Sequence, residues 1–154
     1  MEALLRPVGW AVLAGVATAV YIWSWPPGVI LFGILGLFYL FELSSEYVHG
    51  ESPEHVAIVG AISMGTAAVL TLATLEQFAI SATAFTLLQP GMALAVGFGC
   101  LFMAWLARQW DARDLSRIQY PVGVGSILLV LAGAAALLLP DLFGFFVNQV
   151  TRVI

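Results

Sequence analysis

The stretch GVILFGILGLFYLFELSSEYVHGESPEHVAIVG, residues 28–60, decides how the chain folds. It is apolar over 28–41, polar over 42–55, and apolar again from Val56. The polar part holds Glu42, Glu46, Glu51 and Glu54, four of the nine acidic residues, and both histidines, His49 and His55, with no lysine or arginine. Apolar runs on either side read as two helices that cross a lipid layer, joined by a wet hairpin. The polar residues at its head then either solvate and cap the turn or carry chemistry.

Composition supports lipid as the solvent. Of the 154 residues, 62% are hydrophobic and 9% charged, and the mean hydropathy is +1.02. Soluble domains average about 45–50% apolar and about 25% charged residues. A soluble fold of this length has no means of hiding so much apolar surface. The length suits one integral membrane domain, residues 1–154. The lone Cys100 excludes an internal disulfide and a cysteine-based metal cluster, and reads as a small buried hydrophobe. All five basic residues are arginine and the net charge is −4. No basic stripe for nucleic acid is present.

Outward from the hairpin, the pattern predicts an all-α, polytopic helical membrane protein with about five spans, over 8–25, 28–48, 54–75, 83–107 and 120–139. Pro26, Pro27 and Gly28 enforce the first turn, Pro90 is placed to kink the fourth span, and Pro140 stops the fifth. Residues 141–152 are too short to cross. Phe143, Phe146, Val147 and Val150 share one helical face there, which reads as an interfacial helix. The first segment reads as a span and not as a signal peptide cleaved after 17–19, because a single Arg precedes it.

Arg6, Arg108, Arg113 and Arg117 fall on one side of such a threading, and the positive-inside rule makes that side, with the N-terminus, cytoplasmic. Only Arg152 falls outside this pattern. Tyr21, Trp23 and Trp25 mark one interface; Trp10, Tyr47, Trp105, Trp110 and Tyr120 mark the other. For packing, Ala57, Ala61 and Gly65 make one small-residue stripe and Gly91, Ala95 and Gly99 another. The expectation is that the third and fourth spans meet through these stripes, or that one of them faces another subunit.

Within the hairpin, Gly50 reads as a helix stop, Ser52 as an N-cap, Pro53 as the first helical residue and Glu54 as a first-turn acid. Glu46-x-x-His49, with Glu42 one turn earlier and His55 across the turn, is a spacing that metal-carboxylate bundles use, although di-iron sites use that motif twice. Glu46, His49 and His55 are therefore candidate metal ligands. Glu42 and Glu46 are candidate ion or proton carriers, since an ionisable group at the lipid edge is costly. Asp111 and Asp114 can pair with Arg108 and Arg117 at helical spacing, and Arg108, Arg113 and Arg117 can instead meet anionic lipid headgroups.

No Walker loop, dinucleotide fingerprint, GxSxG or HExxH is present. The sequence reads as a non-enzymatic subunit or accessory component of a larger membrane assembly, needing no cofactor, with the bilayer and other membrane subunits or a second copy as partners. The rival readings are a homo-oligomeric channel or transporter coupled through Glu42, and a metal-binding membrane enzyme using Glu46, His49 and His55.

Overall fold

The computed structural model of the chain describes residues 2–75, 84–138 and 144. Helix α1 spans Glu2–Ser24, α2 Ile30–His49, α3 Glu54–Leu72, α4 Leu88–Asp111 and α5 Tyr120–Leu138. Each carries a segment long and apolar enough to cross a membrane. With no water in the hydrocarbon, a spanning backbone must satisfy its own N–H and C=O groups, and a helix does so within one segment. The chain is thus a multi-pass helical membrane protein. The interfacial helix expected over 141–152, with Arg152, lies outside the described residues, as do Glu76 and Gln77.

Two compact units can be distinguished, Met1–Arg117 and Ile118–Ile154. The second holds α5, whose Val122, Leu129, Val130 and Leu137 are exposed. The first holds α1 to α4, and α3 is its centre. Helix α3 packs most extensively on α4 and next on α1, while α2 lies against α4 and α3. Gly60 faces Cys100, and Gly97 faces Met64 and Ala61, so α3 and α4 run antiparallel. Gly15 faces Ser63 and Thr66, and Trp23 Nε1 donates to Thr74 Oγ1 at 3.0 Å, so α1 and α3 run parallel.

Small residues make this closeness possible, but not the ones the four-residue spacing singles out. A Cβ on Gly65, Gly91 or Gly99 would meet nothing within 4 Å, and Gly91 and Ala95 are exposed. The α3–α4 contact instead uses buried Ala57, Gly60, Met64 and Ala67 on one side and Ala93, Gly97, Cys100 and Ala104 on the other. Ala57 and Ala61 belong to it; the Gly91–Ala95–Gly99 stripe is rotated away from α3. A helix this rich in small residues has several smooth faces, and spacing alone does not say which one a neighbour takes.

Where the helices converge, Ile22, Phe32, Met64, Ala67, Ala68 and Ala93 form the apolar core. Polar groups near this core are paired. Tyr39 Oη and Ser63 Oγ lie 3.1 Å apart, and Thr71 Oγ1 donates to the Ala67 carbonyl at 2.8 Å. Buried Gln89 organises the entry to α4: its Nε2 donates to the Ala84 carbonyl at 2.8 Å and its Oε1 accepts from the Thr86 N–H at 3.0 Å. Helix α4 begins at Leu88, so Pro90 sits in the first turn, where no intrahelical bond needs its missing N–H. The expected kink at Pro90 is thereby replaced by a helix start.

Gly50 closes α2 at φ +89°. Its N–H reaches the Tyr47 carbonyl at 3.2 Å, and the Glu51 N–H reaches the Glu46 carbonyl at 3.0 Å, the paired bonds of a Schellman end. The expected Ser52 cap is not made: α3 starts at Glu54 after Pro53, with no side-chain cap bond.

Two substitutions test this packing. Gly15→Ala places a Cβ against the Ser63 carbonyl and 2.7 Å from Thr66 Cβ, and is expected to cost about 1–3 kcal/mol through overpacking. Gly99→Ala, whose Cβ meets nothing, should be neutral or slightly stabilising. Thermal denaturation in detergent separates them, and equal melting temperatures would contradict the described α1–α3 contact. By the same measurement, Gly50→Ala should lose about 1–2 kcal/mol, because its left-handed backbone disfavours a Cβ.

Candidate functional site: the polar end of the bundle

The hairpin between α2 and α3 and the end of α4 gather at one end of the first unit. Because α1 runs parallel to α3, Arg6 also belongs to that end. A cleft of about 140 Å³ opens there, lined by Tyr47, Glu51, Glu54, Arg108, Asp111 and Arg117 among others.

Two ion pairs frame the cleft. Arg108 Nε donates to Glu54 Oε1 at 2.8 Å, joining α4 to the start of α3. This corrects the local pairing expected for Arg108 with Asp111 or Asp114; the partner is 54 residues away in sequence, and the antiparallel α3–α4 packing delivers it. Arg117 Nη2 lies 3.4 Å from Asp111 Oδ1, six residues back, a longer step than the helical spacing expected for the pairing. Arg113 is exposed in the turn beyond α4. There Asp114 takes a left-handed φ of 50°, which Asp tolerates better than most residues.

Tyr47 ties the frame together. Its hydroxyl donates to Asp111 Oδ1 at 2.8 Å, and the Arg117 guanidinium lies 5.2 Å from its ring centroid. The ring is 1% exposed, so Tyr47 is a buried strut and not the interfacial marker expected from sequence. Tyr120 is likewise buried. Only the order of helices in space could have disclosed Tyr47, since its partner follows it by 64 residues. By contrast Trp10 and Trp105 are exposed, as interfacial aromatics should be.

The acids and histidines of the hairpin are separated into different settings. Glu42 is exposed on α2. One turn on, the Glu46 side chain is only 15% exposed. Its Oε1 lies 3.2 Å from His55 Nε2, and its Oε2 is buried with no hydrogen-bond partner among the described residues. His55 Nδ1 lies 3.0 Å from the Ser52 carbonyl. A carbonyl only accepts, so Nδ1 carries the proton in that bond. His49 makes the same kind of bond within α2, its Nδ1 donating to the Ser45 carbonyl at 2.7 Å. The structure therefore brings Glu46 and His55 together. Among the described residues, no three His, Cys, Asp or Glu side chains gather as a metal-binding group.

Comparison with known proteins adds one relationship. No protein-family model matches the chain, and no solved structure matches it. Over all 154 residues it is 44% identical to the dolichyl-monophosphooligosaccharide–protein glycotransferase AglB of Haloferax volcanii. The match covers 100% of this chain and 15% of that protein's length.

Proposed function

We propose that this chain serves as a membrane-embedded part of a larger assembly that transfers an oligosaccharide from a dolichyl monophosphate carrier to protein. The observation that supports this most is the 44% identity sustained along the whole chain to AglB, whose name states that activity. On this reading the chain is a component that positions and shelters; the bond-making groups belong to the rest of the assembly. Its apolar helices adjoin the long polyisoprenoid tail of the carrier, which requires hydrocarbon surroundings. The arginines at the polar end, Arg108, Arg113 and Arg117, are placed to meet anionic lipid headgroups. Glu42, exposed on α2, stays at the interface.

Orientation follows from charge. Arg6, Arg108, Arg113 and Arg117 share one end of the first unit, and that end, with the N-terminus, faces the cytoplasm.

Two experiments test these statements. The first exchanges the matching 154-residue part of the Haloferax protein for this chain, in cells that lack their own AglB. Glycosylation of an acceptor protein should persist. A chimera that reaches the membrane in normal amounts but transfers no oligosaccharide would refute the role. The second introduces Ser24→Cys or Arg113→Cys into a Cys100→Ser background and labels intact cells with a membrane-impermeant maleimide. Ser24→Cys should react from outside and Arg113→Cys only after lysis; the reverse pattern inverts the orientation.

A further inference from the structure

We infer that Glu46 and His55 form a binding site for a divalent transition-metal ion of the zinc type, at the turn between α2 and α3. This does not depend on the glycosyl-transfer role. Three observations carry it. First, the His55 Nδ1 proton is committed to the Ser52 carbonyl at 3.0 Å. In neutral imidazole the lone pair is then on Nε2, the atom aimed at Glu46. A ligating histidine commonly donates its other ring N–H to a backbone carbonyl in this way.

Second, the separation has room for a shared metal. His55 Nε2 and Glu46 Oε1 are 3.2 Å apart. A charge-assisted N–H···O contact is shorter, about 2.7–2.9 Å. A zinc ion about 2.0 Å from each atom, at a tetrahedral angle, holds them about 3.3 Å apart. Third, Glu46 Oε2 is buried without a hydrogen-bond partner among the described residues. A buried carboxylate oxygen left so is costly, and a cation held by both carboxylate oxygens removes that cost. Two side chains thus offer three donor atoms, Oε1, Oε2 and Nε2. His55 is 67% exposed, so the remaining coordination positions open toward solvent and take water.

His49 is not part of this set. It makes the same kind of Nδ1–H bond to a backbone carbonyl, but the ring that lies against Glu46 is that of His55. The sequence motif Glu46-x-x-His49 is therefore replaced by a pair that reaches across the turn.

The test uses the full chain purified in detergent, stripped with a chelator and titrated with zinc alone against a chromophoric competitor. One zinc per chain is expected, together with a rise in melting temperature, because the ion binds the folded hairpin and not the separated helices. Glu46→Gln and His55→Asn should each weaken binding by more than about 100-fold, since even outer-shell partners account for 10- to 100-fold. His49→Asn should leave it unchanged. Glu46→Gln is isosteric and His55→Asn is smaller, and their zinc-free melting temperatures report whether they fold. Absence of zinc binding by the wild-type chain overturns the inference, whatever the variants do. So does binding that survives Glu46→Gln and His55→Asn, or that is lost only with His49→Asn.

Discussion

Close approach of α3 to two neighbours is the constraint on which the four-helix unit depends. Lipid supplies no hydrophobic drive between spans, so contact must come from packing and from hydrogen bonds. Helix α3 meets the requirement by being thin. Ala57, Gly60, Ala67 and Ala68 are buried along it, and the only large side chain buried with them is Met64. Gly15 brings α1 against the α3 backbone on one side, and Gly97 brings α4 against it on the other. Bulk is supplied from outside by Ile22 and Phe32, which fill the space where the helices converge.

That close packing also sets the geometry of the polar end. Once α3 and α4 are antiparallel and in register through Gly60 and Cys100, Glu54 and Arg108 arrive opposite each other. Tyr47 and Asp111 are brought together by the same construction on α2 and α4. The exposed Glu54–Arg108 pair adds little by itself, since water and salt screen it. The Tyr47–Asp111–Arg117 set is more constraining, because one of its members is buried and its hydroxyl is bonded to Asp111. The end of the bundle is therefore a consequence of the packing in the spans, held in detail by a few polar bonds.

The limits of sequence reading follow from the same physics. Five spans and the Gly50 stop depend on residues near one another in sequence, and both were legible there. The α3–α4 contact was legible as a pairing of helices but not as a choice of face. Gly91, Ala95 and Gly99 have the expected spacing, yet Gly97 and Cys100 are the residues turned inward. Arg108 was assigned a neighbour three or six residues away because a partner on another helix leaves no local trace. The same holds for Tyr47, whose position resembles an interfacial aromatic until Asp111 is placed beside it. In the hairpin, spacing joined Glu46 to His49, whereas the sharp turn at Gly50 aims His55 at Glu46 instead.

A chain without charges inside its spans divides the work it can do by depth. Sugar and phosphate groups are polar and strongly hydrated, and no side chain in the apolar middle of these helices could replace their water. An isoprenoid tail has the opposite requirement and loses nothing beside exposed Ile34, Leu37 or Phe98. A chain built in this way offers hydrocarbon along its length. It can touch the polar part of the reaction only at its ends. Among the described residues, the end carrying Arg108 and Arg117 on α4 and its following turn, with Glu46 and His55 across the hairpin, is the one with fixed charges. The position of that end relative to the membrane faces therefore decides whether these groups meet a substrate or serve only to hold the helices together.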